Sequence, residues 1–127
     1  MRNNKGMEEK LITIETAELA KSKGFNIPVD GRYYWDPEYL KVLLSKQGIG
    51  KCNNTEESIS APTQSLLQKW LREELGINVF IVPALKEGHY EWLIMDDNET
   101  TFECDEAFTI YEDALEEGLK KAINLKK

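Results

Sequence analysis

The spacing of apolar residues is most regular in the second half of the chain, where it predicts a helix that begins near Ser60. Apolar side chains repeat there at the 3.6-residue helical period, at Leu66, Leu67, Trp70, Leu71 and Leu75. Pro62 suits the first turn of such a helix, and Gly76 is a typical end. The polar residues on the other side, expected to face solvent, are Gln64, Gln68, Lys69, Arg72 and Glu73.

Three strands are predicted next, at residues 77–82, 89–95 and 100–104, with polar turns at 86–88 and 96–99. The first is apolar at nearly every position, which is typical of a strand that is central or covered on both faces. Alternation in the second places Tyr90, Trp92 and Ile94 on one face. In the third, Phe102 and Cys104 are expected to point inward.

The chain closes with a predicted helix whose start matches a capping box, with Thr109 and Glu112 satisfying each other's backbone donors. One face is apolar: Tyr111, Ala114, Leu115, Gly118, Leu119, Ala122 and Ile123. The opposite face offers the i, i+4 ion pairs Glu116–Lys120 and Glu117–Lys121. A glycine inside the apolar face costs helix propensity, which predicts that the helix approaches the sheet closely at Gly118.

The first half of the chain is less regular. A short helix is predicted at 14–23, capped by Thr13 and ended by Gly24, and a turn at 26–31 precedes an aromatic strand at 32–35. Asp36-Pro37 is typical of a helix start, and the apolar residues after it would form a helix ending near Gly48. An extended form of 39–44 stays open, because short apolar runs are ambiguous. Residues 48–60 are predicted to be a loop.

These elements predict an α+β fold with one domain over 1–127. Its core is a helix, a three-stranded antiparallel sheet and a helix over 60–124, and residues 1–59 form an N-terminal helical and aromatic extension with a turn and a loop. A chain of 127 residues is near the commonest size for a single domain.

Charge is distributed unevenly between the two halves. The net charge is −7, and residues 1–59 contain nine basic and nine acidic side chains, so the whole excess lies in 60–127. Duplex binding depends on cationic contacts to phosphate, so the acidic half is a poor nucleic-acid surface.

No apolar run is long enough for a membrane span, and the first residues do not resemble a signal peptide. With its two cysteines, Cys52 and Cys104, expected to be free thiols, the chain suits the cytoplasm.

Candidate chemistry is sparse. His89 is the single histidine, and it would need Cys52 or Cys104 nearby to form a nucleophilic pair. Acidic residues at 96–99 lack the glycine and glutamate positions of a calcium loop, and Gly48 to Lys51 lacks the full phosphate-loop pattern. We therefore predict no catalytic residue, no metal site and no cofactor.

One aromatic and basic cluster is a candidate partner surface: Arg32, Tyr33, Tyr34 and Trp35. Exposed aromatics of this kind anchor protein partners or stack on nucleic-acid bases. The alternative is that they fill the join between the N-terminal extension and the main sheet.

Three segments, 14–26, 60–73 and 111–119, resemble small proteins of phages and prophages, especially those of Bacteroides-type bacteria. They occur in the same order and together contain 36 of the 127 residues. The resemblance implies a mobile-element origin and a host bacterial cytoplasm as the setting. It brings no activity and no functional residue.

The leading hypothesis is a non-enzymatic accessory protein that binds a macromolecular partner, most simply a host or phage protein. Two alternatives stay open: a nucleic-acid-associated regulator acting through the N-terminal part, and an enzyme with scattered polar residues. The pattern also allows a homodimer, since an exposed edge strand can pair with a second copy, although the order of the strands does not follow from the sequence.

Overall fold

The structure, a computed structural model, describes residues 9–38, 41–45, 58–104 and 106–125. In these residues it has three helices and two three-stranded antiparallel sheets. The elements are α1 (Ile14–Ser22), β1 (Arg32–Asp36), β2 (Lys41–Ser45), β3 (Ser58–Ser60), α2 (Gln64–Trp70, continued by a π-helical turn, Leu71–Leu75), β4 (Asn78–Pro83), β5 (Tyr90–Met95), β6 (Thr101–Glu103) and α3 (Tyr111–Leu125).

The predicted helix–three strands–helix core is confirmed. The second sheet has the order β4-β5-β6, and α3 packs across β4 and β5. Gly118 permits this packing, because a Cβ atom there would lie 2.9 Å from Trp92 Cβ and 3.0 Å from Val79 Cγ1. The predicted faces of β5 are also confirmed: Ile94 is fully buried and Trp92 packs against the core.

The first sheet corrects the prediction of a helix after Asp36. It has the order β2-β1-β3, and the residues expected to continue that helix form β2 instead, so the extended alternative is the right one for Lys41–Ser45. The carboxylate of Asp36 accepts a hydrogen bond from Glu38 N at 2.8 Å and so stabilises the turn between β1 and β2. Residues 39–40 and the expected stop at Gly48 lie outside the described residues. Ser58–Ser60, expected to belong to a loop, is a strand.

Helix α1 agrees closely with the prediction from the sequence. Thr13 caps its start by accepting a hydrogen bond from Thr16 N. At the other end, Gly24 adopts φ +95° and Phe25 N donates to Ala20 O at 3.0 Å, which closes a Schellman motif.

Both helices of the core begin later than the sequence predicts. Helix α2 begins at Gln64 with Thr63 as its N-cap, so Pro62 precedes the helix. Helix α3 begins at Tyr111, two residues after Thr109, so the predicted capping box does not occupy its N-cap. Tyr111, expected on the buried face, is exposed. The predicted end at Gly76 is confirmed, with φ +69°.

The prediction that the first core strand is central or covered on both faces is wrong. Among the described strands, β4 lies at the edge of its sheet and pairs with β5 alone. Val79 is buried against α3, whereas Phe80, on the opposite face, is 43% exposed. The apolar run therefore reflects a half-buried strand with an exposed apolar side chain.

Candidate partner-binding site

The structure places the four candidate residues Arg32, Tyr33, Tyr34 and Trp35 on β1, the central strand of the first sheet. Successive side chains of a strand point to opposite faces, so this cluster is divided in two. Tyr33 and Trp35 share one face. Arg32 and Tyr34 share the other, where the guanidinium lies 5.2 Å from the centre of the Tyr34 ring in a cation–π contact.

Tyr33 joins the first sheet to the core. Its ring packs against the buried cluster, and its hydroxyl donates to Ile12 O at 2.8 Å. Burial and the nearby negative charge of Glu116 raise the pKa of Tyr33 above its ordinary value of 10.0. Tyr33 therefore fills the join between the N-terminal extension and the core, which was the alternative to a partner surface.

Trp35 has the opposite environment, with 54% of its surface exposed. Cross-strand pairing sets it beside Val42 and sets Tyr33 between Leu44 and Ile59, so all five side chains lie on one face of the sheet. We call this set (Tyr33, Trp35, Val42, Leu44 and Ile59) the Trp35 face. Val42 and Leu44 are 44% and 42% exposed, so the outer part of the face is an apolar surface in contact with solvent.

A groove of about 170 Å³ runs between the Trp35 face and α1. Helix α1 contributes Ile14, Glu18 and Lys21 to its wall, and the sheet contributes Trp35 and Val42 among others. On the sheet side the groove is lined by aromatic and aliphatic residues and by Ser58, and on the helix side it has one acidic and one basic side chain. Such a site suits an apolar segment with few charges.

A second cluster, which the sequence analysis missed, surrounds Glu116 of α3. Glu116 is 6% exposed, and its carboxyl group accepts hydrogen bonds from Thr13 N at 2.9 Å, from the hydroxyls of Thr13 and Thr16, and from Gln64 Nε2 at 2.9 Å. The amide of Gln64 also donates to Glu112 O at 2.9 Å. These contacts connect the start of α1, the start of α2 and the middle of α3.

The Glu116 cluster corrects two sequence predictions. Glu116 was expected in a surface ion pair with Lys120, and Gln64 was expected to face solvent, but both are buried. Lys120 pairs instead with Glu117 at 2.7 Å and with Glu15 at 3.6 Å. The hydrogen bond that Lys120 donates to the carboxylate of Glu117 is the main reason that the pKa of Lys120 is raised. A cavity of about 280 Å³ beside the cluster is lined by Lys10, Thr13, Phe108, Asp113, Glu116, Glu117 and Lys120.

The candidate nucleophiles and ligands are separated from these features. Cys104 is half-buried at the end of β6, where its Sγ accepts from Trp92 N at 3.2 Å and donates to Glu106 O at 3.1 Å. The imidazole of His89 lies 3.1 Å from Glu87 O through Nδ1. Cys52 lies outside the described residues. In the described ranges, no three His, Cys, Asp or Glu side chains are placed to hold a metal ion.

Stability is expected to fall as the pH rises past 10.0, the ordinary pKa of tyrosine. A pKa raised by folding means that the folded state holds the proton more tightly, so this contribution is complete below the unfolded pKa and is lost as the pH passes the folded pKa. Lys120 acts in the same direction. Tyr33→Phe should reduce the alkaline loss of melting temperature, measured by circular dichroism. An unchanged pH dependence in this variant would show that Tyr33 does not contribute.

Comparisons with protein-family models, with curated protein sequences and with solved structures find no match. Within the described residues, no helix has the length and apolar character needed to cross a bilayer.

Proposed function

We propose that this chain is a non-enzymatic phage or prophage accessory protein that works in the host bacterial cytoplasm by binding a host or phage protein through the Trp35 face. The observation that carries the proposal is the exposure of Trp35, Val42 and Leu44 on one face, beside a groove. The mobile-element origin rests on the resemblance of residues 14–26, 60–73 and 111–119 to phage and prophage proteins.

The chemistry of the Trp35 face favours an apolar segment of a protein as the partner. Tryptophan is among the residues that contribute most to protein interfaces, where it buries a large apolar surface at little conformational cost. Val42 and Leu44 extend that surface along β2, and an apolar partner would remove all three side chains from water. Glu18 and Lys21 at the edge of the groove would set the polar rim.

A nucleic acid is a weaker match to the same surface. Bases can stack on Trp35, but phosphates require several cationic side chains along their path. Among the described residues that line the groove, Lys21 is the one basic side chain, and it lies on the same helix as the acidic Glu18. We therefore propose that an apolar peptide segment binds in the groove.

The test compares Trp35→Ser and Leu44→Gln with Leu85→Ser, a control that removes a fully exposed apolar side chain from the β4–β5 connection. A partner captured by the wild type and identified by mass spectrometry is purified and titrated against each variant. Truncating a tryptophan at the centre of an interface often reduces the binding free energy by about 2 kcal/mol or more. We therefore expect about 30-fold weaker binding for Trp35→Ser. Leu85→Ser should bind like the wild type.

Equal affinity of Trp35→Ser and the wild type for the identified partner would contradict the proposal. So would loss of binding in Leu85→Ser alone, since that would place the interface on the other sheet. A gel shift of single-stranded or duplex nucleic acid at low salt, lost in Trp35→Ser, would favour the nucleic-acid alternative.

A further inference from the structure

The outer edge of β2 presents backbone groups that β1 does not use. Ala61 N donates to Gly31 O at 2.9 Å, so the odd-numbered residues of β1 direct their backbone groups toward β3. The even-numbered ones then face β2 and pair with Lys41, Leu43 and Ser45. It follows that the N–H and C=O groups of Val42 and Leu44 point away from β1. In the described part of the chain, no other strand pairs with β2.

The corresponding edge of the second sheet is protected. There the outward backbone groups belong to Val79, Ile81 and Pro83, since Gln68 Nε2 donates to Val79 O at 2.7 Å from outside the sheet. Pro83 has no N–H to offer a neighbouring strand. A capped carbonyl and a proline are common means of preventing strand addition. In β2 the outward positions are the apolar residues Val42 and Leu44 and include no proline.

We propose that β2 pairs antiparallel with β2 of a second copy, about a two-fold axis at Leu43. In that register Val42 of each copy lies opposite Leu44 of the other, and each pair exchanges two backbone hydrogen bonds. Lys41 lies opposite Ser45 of the other copy, so no like charges face each other. A register with Val42 opposite itself would leave much of the five-residue strand unpaired.

Charge favours a second copy as the occupant of this edge. The acidic excess of −7 lies entirely in residues 60–127, whereas residues 1–59, which contain β1 and β2, are balanced. Two copies that meet at β2 bring their neutral halves together and keep their acidic halves apart. The product is a six-stranded sheet on which the two Trp35 faces become continuous. Pairing uses the edge, and the proposed partner covers the face, so either proposal can fail without the other.

Proline at the outward positions tests the pairing. Val42→Pro and Leu44→Pro remove N–H groups that β1 does not use, so each chain should stay folded by circular dichroism. Each substitution deletes two hydrogen bonds from the symmetric dimer, and we expect dimerisation measured by sedimentation equilibrium to weaken about tenfold or more. Val42→Thr retains the N–H group and is the matched control, which should dimerise nearly as the wild type does. Leu43→Pro, which removes a hydrogen bond to β1, should unfold the first sheet.

A wild-type chain that sediments as a monomer at the highest concentration it tolerates would overturn the pairing. Dimerisation that persists in both folded proline variants would also overturn it, because the contact would then lie elsewhere. If a proline variant does not fold, amide hydrogen exchange of the wild-type chain decides the question. Protection of the Val42 and Leu44 amides that rises with concentration supports the pairing, and concentration-independent exchange overturns it.

Discussion

Replacing Glu116 with alanine is expected to lower the free energy of unfolding by about 3–4 kcal/mol, a large part of the roughly 5–15 kcal/mol that stabilises a domain. The carboxyl group accepts four hydrogen bonds from Thr13, Thr16 and Gln64. Alanine leaves these donors without a partner in a site that solvent hardly reaches, and a buried unsatisfied donor costs about 1–3 kcal/mol. The start of α1 should loosen first, because two of the bonds come from its cap, Thr13.

Urea unfolding measures the change, and Glu117→Ala is the matched control. Glu117 is the next residue of α3, is partly exposed and forms a surface ion pair with Lys120, so its loss should cost less than about 1 kcal/mol. Glu116→Gln retains the shape and one acceptor oxygen and should fall between the two. A similar midpoint for Glu116→Ala and Glu117→Ala would contradict the role assigned to the cluster.

Replacing Gly118 with leucine is the second change with a large expected effect. A Cβ atom at this position already approaches Trp92 Cβ to 2.9 Å, so a leucine side chain would force α3 away from the sheet. Overpacking of this kind costs about 1–3 kcal/mol or more, against about 1 kcal/mol gained in helix propensity. We expect a lower melting temperature and exposure of Trp92, read as a red shift of tryptophan fluorescence.

The control for Gly118→Leu is Lys121→Leu, which places the same side chain on the exposed face of the same helix. That variant should keep the wild-type melting temperature within the small range typical of surface changes. Gly118→Ala adds the Cβ atom alone and isolates the close approach from the larger volume of leucine. An unchanged melting temperature in Gly118→Leu would contradict the packing of α3 on β4 and β5.

The core could be predicted because its signals are local. The helical repeat from Leu66 to Leu75, the stop at Gly76 and the alternation in β5 each depend on neighbouring residues, and the structure confirms them. The close approach at Gly118 followed from one glycine in an apolar face. Helix starts were less accurate, since Pro62 and Thr109 satisfy the same patterns one or two residues too early.

The first sheet could not be predicted because it depends on pairing between distant residues. Tyr33 lies between Leu44 and Ile59, and nothing local to any of the three indicates the other two. Asp36-Pro37 suits a helix start and a turn equally well. The turn forms because β1 pairs with β2 on one side and with β3 on the other. The sequence therefore favoured a helix after Asp36 and left the extended form open, and the structure places Val42 and Leu44 with Trp35 in the exposed part of the Trp35 face.

The buried polar contacts could not be predicted from the sequence either. Glu116 has the i, i+4 spacing of a surface ion pair, and Gln64 lies on the polar side of its helix. Both are buried because α1 closes over the point where α2 and α3 meet, and this contact is tertiary. The sequence left the exposure of the four candidate residues open, and in the structure Trp35 is exposed whereas Tyr33 joins the sheet to the core.

Site-specific photo-crosslinking shows directly whether a partner contacts the Trp35 face. A photoreactive phenylalanine analogue replaces Trp35 in one variant, Phe80 in a second and Leu85 in a third, all of them exposed positions. Each variant is irradiated in cells of the source organism, and the adducts are identified by mass spectrometry. We predict a discrete protein adduct from position 35 and none from positions 80 and 85. An adduct from position 80 or 85 with none from position 35 would show that the partner binds outside the Trp35 face.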